Sequence, residues 1–137
     1  RSTLFPYTTL FRSTNLDYEV EDYGTYSTES VDYPDYGKKL AEAVISKEVD
    51  FGIAFCGTGI GISISCNKVK GIRAALCFNE YMARKTREHN NANILCIGGR
   101  TTGIEIAKAM IDEFLNTDFE GGRHQKRVDK ICKMEEE

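Results

Sequence analysis

The sequence predicts an α/β sandwich around a parallel sheet. Short apolar runs alternate along the chain with stretches of helical periodicity. The runs at 51–55 and 94–97 are continuous rather than alternating, as in strands covered on both faces. A glycine-rich turn follows the first run and opens a helix, the rhythm of strand–helix–strand units. The chain has 137 residues, long enough to bury roughly two-thirds of its unfolded surface in one core.

The elements follow in order. Residues 1–15 are set apart as a non-native-looking leader, because RSTLFPYTTLFRST holds no Asp, Glu or Lys and repeats Thr-Leu-Phe at 3–5 and 9–11. The string looks like junction sequence and is excluded from fold reasoning. Residues 16–137 then form a single domain. Tyr18 to Tyr23 alternates with period two and stops at Gly24, which predicts a short strand. Residues 25–35 are polar, contain Pro34 and read as a loop. Leu40, Ala41, Val44 and Ile45 place a helix over 36–48. Phe51–Phe55 is a buried strand, and the turn after it opens a helix running to about Lys68. Ile72–Phe78 is a strand, 79–89 a helix, and Ile94–Ile97 a strand stopped by Gly98 and Gly99. Ile104, Ala107, Ile111, Phe114 and Leu115 mark an amphipathic helix over 104–115. A last helix starts near Arg123 and frays at Glu135–Glu137.

Composition narrows the function. Apolar residues make up 41% and charged residues 28%, and the net charge is −3, so bulk charge recruits neither nucleic acid nor an anionic membrane. An anionic ligand must therefore meet a local basic cluster. No window approaches the ~18 apolar residues of a membrane span, and the N-terminus shows no secretory pattern. The expected compartment is the cytoplasm. The five cysteines, Cys56, Cys66, Cys77, Cys96 and Cys132, form no C-x-x-C pair, which suits neither a disulfide framework nor a cysteine zinc site. Cys77 and Cys96 lie in apolar runs and read as packing residues.

Cys56-Gly57-Thr58-Gly59-Ile60-Gly61-Ile62-Ser63 lies where a buried strand turns into a helix. Ligands of open parallel sheets bind at the carboxyl ends of the strands. Successive N–H groups in such a turn can hold an anion, and the helix N-terminus adds partial positive charge. A thiol there has its thiolate stabilised and can serve as base or nucleophile. The turn alone is weak evidence, and it lacks the spacing of a dinucleotide fingerprint. His89-Asn90-Asn91 closes a helix and is expected to face the same cleft, although His89 alone reads as a cap. Arg123 and Arg127, four apart on one helix face, can grip a phosphate, and Arg100 is a third cation beyond a strand end.

Cys56–Ser63, Asn67-Lys68 with Gly71-Ile72-Arg73-Ala74, Arg87-Glu88-His89-Asn90 and Glu120-Gly121-Gly122-Arg123-His124 together resemble the ribose-5-phosphate isomerase B family. Asp32-Tyr33-Pro34 fits the same pattern, and the resemblance runs over roughly residues 18–134. It implies a three-layer, Rossmann-like sandwich and an aldose–ketose isomerisation of ribose 5-phosphate to ribulose 5-phosphate through an enediolate. No metal and no cofactor are implied. Cys56 would move the proton between C2 and C1, with Thr58 beside it. Gly57, Gly59, Ile60 and Gly61 would hold the reacting end through their amides, with Asn67 assisting. His89 would help open the furanose ring with Asn90 nearby, and Arg100, Arg123 and Arg127 would clamp phosphate and substrate. A homodimer or tetramer with sites shared between subunits is implied too.

The chain departs from that family at its start. The family opens with a strand of the type I-A-x-G-x-D-H-A-G, and residues 1–17 contain nothing like it. The first strand is expected to be missing, or replaced through Leu4-Phe5 or Thr9-Leu10-Phe11, leaving this chain impaired or poorly folded. Other readings are a hexose 6-phosphate isomerase, a phosphate-binding subunit without turnover, and a nucleotide-binding flavodoxin-like module.

Overall fold

The computed structural model describes Tyr18, residues 20–24 and residues 30–137. The expected leader, its surrogate strand and residues 25–29 of the expected 25–35 loop lie outside the described residues. In chain order the elements are α1 (Tyr33–Ile45), β1 (Gly52–Cys56), α2 (Ile60–Cys66), β2 (Ala74–Leu76), α3 (Glu80–Asn90), β3 (Ile94–Gly98), α4 (Ile104–Asn116) and α5 (Arg123–Met134). The strands form a parallel sheet in the order β1-β3-β2. The chain steps from β1 over β3 to β2, then back. Because such crossovers are right-handed, reversing the step puts α2 and α3 on opposite faces. Accordingly α1 packs with α2 and α3 with α4, which makes the expected three layers.

β3 is the centre. Its Ile94, Leu95, Cys96 and Ile97 are fully buried, paired with Gly52–Phe55 on one side and, through Cys96, with Ala74–Leu76 on the other. Phe55, Ile62, Met110, Ile111 and Phe114 complete the core above and below the sheet. Each large apolar side chain so buried contributes roughly 1.5–3 kcal/mol.

Three boundaries differ from the sequence reading. Tyr18 and Val20–Tyr23 form no strand. The alternation there sets tyrosines against carboxylates, and these groups make side-chain bonds instead: the Tyr18 hydroxyl donates to Leu115 O at 2.8 Å, and that of Tyr23 to Glu21 at 2.6 Å. The helix expected from Tyr36 starts at Tyr33, since Pro34 sits in its first turn, where a missing N–H costs nothing. The 72–78 strand shrinks to three residues, with single cross-strand bonds at its ends from Asn93 N to Arg73 O and from Cys77 N to Cys96 O.

Arg87 ties the α3–α4 layer to the sheet. Its buried guanidinium donates to Thr117 O, Asn91 Oδ1 and Ala92 O, and lies 4.7 Å from the Phe51 ring centre. Burial pulls this group below its usual range, yet each of its bonds is charge-assisted. A cavity of about 820 Å³ opens beside the same Phe51, lined also by Tyr36, Leu40, Ile53, Arg73 and Asn93.

Arg87→Ala is expected to leave three acceptors without this donor, that of Ala92 buried and the other two half-buried, and to destabilise the chain by about 3 kcal/mol. Urea unfolding followed by circular dichroism measures this, and an unchanged midpoint would show that the guanidinium is dispensable.

Candidate active site

Cys56 is the last residue of β1, paired with Gly98 at the end of β3. Its side chain is buried, at 5% exposure. The backbone turns there because Gly59 takes a left-handed conformation, φ 79°, and caps α2. That turn brings the Gly59 N–H back onto Cys56 Sγ at 3.2 Å. An N–H aimed at sulfur binds more strongly as the sulfur gains negative charge. Among the other buried thiols, burial pushes Cys77 up to about 12, while the hydrogen bond between Cys66 and Cys96 pulls Cys66 down and, with burial, pushes Cys96 up.

The loop after β3 is laced to the same turn. Gly99 N donates to Cys56 O at 2.8 Å and Arg100 N to Gly57 O at 2.9 Å. The Arg100 guanidinium lies over Gly57, where an added Cβ would sit 3.5 Å from Nη1. Thr58 and Ile60 are exposed, and the Thr58 hydroxyl accepts from Ile60 N at 3.3 Å. Gly61 has the Tyr33 ring directly against it, in space a side chain would fill. The residues assembled at this end are therefore Cys56, Gly57, Thr58, Gly59, Ile60, Gly61 and Arg100, with Tyr33 over them. Tyr33 appeared in the sequence only as part of a loop pattern; its packing on Gly61 needs the α1–α2 contact.

The second half of the expected site is elsewhere. A helix between parallel strands returns the chain to the amino end of the sheet, so His89 and Asn90 at the end of α3 lie near the start of β3, not near its end. The reading that His89 and the Cys56 turn converge on one face is corrected by this topology for a single chain; the sharing between subunits that the resemblance implies is left untouched. A five-residue strand puts the two ends about 13 Å apart. Asn67 also lies at the amino end, where its amide is engaged with Ala74 twice, accepting at 2.8 Å and donating at 2.9 Å. Arg123 and Arg127 stand exposed on the opening turns of α5.

Around His89 the structure adds two residues that the sequence reading left without a role. The buried His124 of α5 stacks on His89, ring centres 4.1 Å apart and planes 10° from parallel. Glu120 Oε1 lies 3.4 Å from His89 Nε2 and 3.6 Å from His124 Nε2. Burial, then the nearby His89 and Arg123, hold His124 below the usual histidine range. No periodicity links residues so far apart, so only the fold reveals the cluster.

The chain matches the sequence model of the family described as Ribose/Galactose Isomerase over residues 7–131. Ribose-5-phosphate isomerase B of Escherichia coli strain K12 is 50% identical over 118 residues, covering 86% of this chain and 79% of that protein. Ribose-5-phosphate isomerase B of Clostridium thermocellum superposes with a TM-score of 0.86 at 59% identity, covering 87% of this chain and 80% of that one. The Mycoplasma genitalium ribose-5-phosphate isomerase B, solved with bound ribulose-5-phosphate, gives 0.79 at 42% identity over 83% of this chain and 76% of that one.

Gly59→Ala tests the turn itself. The new Cβ would fall 2.5 Å from Leu76 Cδ1 and 2.9 Å from the Ile97 carbonyl carbon, at a φ that L residues avoid. At Gly121, φ 68°, nothing lies within 4 Å, so an alanine there costs only the backbone strain of roughly 1–2 kcal/mol. The urea midpoint is expected to fall further for Gly59→Ala than for Gly121→Ala. Equal losses would mean that the turn is not tightly packed against β2 and β3.

Proposed function

The chain belongs to the ribose/galactose isomerase family, and from that premise we propose that it interconverts ribose 5-phosphate and ribulose 5-phosphate. The observation that carries the reading is the Cys56 thiol at the carboxyl end of β1 with the Gly59 N–H on its sulfur. A base in that position takes the proton from C2 of the open aldose. The electron pair left behind forms the enediolate with its charge on O1; the O2 hydroxyl proton passes to O1, and the proton held by the base returns to C1 to give the ketose. Charge on the enediolate oxygen is met by backbone N–H groups of the Gly57–Gly61 turn other than those of Gly59 and Ile60, which are held by Cys56 Sγ and the Thr58 hydroxyl. Thr58, exposed on the same turn, is assigned to that end, and Arg100 over Gly57 supplies a cation beside it.

Ring opening needs a proton moved from the C1 hydroxyl to the ring oxygen. We assign that transfer to His89 with Asn90, and substrate grip to Arg123 and Arg127 with Arg100. Since His89 and Cys56 occupy opposite ends of one sheet, the complete site takes its His89 half from a second copy of the chain. Ile60, Ile64, Phe78 and Tyr81, each more than half exposed, give the carboxyl end an apolar surface suited to such self-association. A closed symmetric dimer would contain two such sites. The five cysteines are all unpaired, which fits the reducing cytoplasm as the compartment. Among the described residues no helix is long and apolar enough to cross a membrane.

Subunit complementation tests both the residues and their sharing. Cys56→Ala and His89→Ala alone are each expected to lose about 10²–10⁴ in turnover of ribose 5-phosphate. Unfolded and refolded together, they should recover about a quarter of the native activity, because random pairing restores one intact site in each mixed dimer. Full activity in Cys56→Ala would remove the thiol from the mechanism. Inactive single variants with no recovery on mixing would place both groups in one chain's site.

A further inference from the structure

Beside His89 stand Glu120 and His124, two groups to which the isomerisation assigns no role. One nitrogen from each imidazole and one carboxylate oxygen lie within 4.8 Å of one another. Two imidazoles and a carboxylate, with a position left for water, are the donor set of open zinc sites. Imidazole nitrogen favours zinc and its first-row neighbours over magnesium or calcium, which select oxygen. The donors come from three separate places, the end of α3, the chain before α5 and the first turn of α5, and the Glu120 N–H fastens that chain to Glu88 O at 3.1 Å. Glu88 Oε2 lies 4.0 Å from His89 Nε2 but is engaged by Lys85 Nζ at 2.8 Å, so Glu120 supplies the carboxylate of the cluster.

We propose that His89, Glu120 and His124 form a binding site for a zinc-class divalent cation, and that its occupation inhibits the isomerase by withdrawing His89 from ring opening. The inhibition rests on the role assigned to His89 above; the binding does not. The stacked rings point their in-plane lone pairs side by side, so ligation requires one ring to turn about its Cβ–Cγ bond. The His89 side chain is 35% exposed and has room to turn, whereas that of His124, at 10%, is the fixed donor. Ligation also occupies a ring nitrogen that proton transfer would need.

The test is calorimetric titration of the full chain, stripped with EDTA, with Zn²⁺. One Zn²⁺ per chain is expected, with affinity weakened at least about tenfold in His124→Ala and in Glu120→Gln, no less than the loss of an outer-shell partner. Cys132→Ser, which removes the only thiol that is not buried, should bind as the unaltered chain does. Circular dichroism checks the fold of each variant, and Glu120, half exposed, can be changed without disturbing the core. Absence of binding at micromolar Zn²⁺, undiminished binding in both variants, or loss of binding in Cys132→Ser would each overturn the site. Zn²⁺ should also suppress ribose 5-phosphate turnover in the unaltered chain and leave Glu120→Gln far less affected. Saturation without suppression would refute the inhibition while the calorimetry upholds the site.

Discussion

The pairing of β3 with both its neighbours is the constraint on which the rest depends. Four consecutive side chains of this strand are fully buried, so its backbone groups must bond within the sheet or remain unsatisfied. β1 and β2 supply those partners in parallel, and parallel strands bring their carboxyl ends to one edge. Gly98 is thereby held beside Cys56, and Gly99 and Arg100 bond to the first residues of the turn. The candidate reacting site is thus an outcome of strand register. A slip of one residue in β1 would point Cys56 to the opposite face of the sheet.

The same architecture separates the groups the chemistry needs. Each helix returns to the amino end, and with it go His89, Asn90 and the surroundings of α5. On the proposed reading, proton transfer at carbon and ring opening fall at opposite ends of one chain, and a second copy would bring them together. Arg87 deserves its place in this picture through structure rather than chemistry. It lies two residues before His89, but its guanidinium is committed to Thr117, Asn91 and Ala92. Its bonds fix the end of α3 and so the position from which His89 projects.

Much of the fold was legible in the sequence because its signals are local. The apolar runs at 51–55 and 94–97, the glycine turn between strand and helix, and the stripe on α4 each announce an element within a few residues. The Tyr18–Tyr23 alternation misled because its side chains serve long-range bonds, such as Tyr18 to Leu115, which no local pattern encodes. The turn with Cys56 was legible for the same reason the strands were. The stacking of His124 on His89, the Tyr33 ring on Gly61, and the separation of His89 from Cys56 were not. All three depend on which helices meet and on which way the chain runs.

The most direct measurement is backbone amide NMR of the labelled chain during titration with ribose 5-phosphate. The account predicts that the amide resonances of Gly57, Gly59 and Gly61 shift first and furthest, while those of Phe51 and Ile53 along the large cavity remain in place. Shifts confined to Phe51 and Ile53, with the glycine turn unmoved, would contradict it and assign the sugar phosphate to the cavity instead.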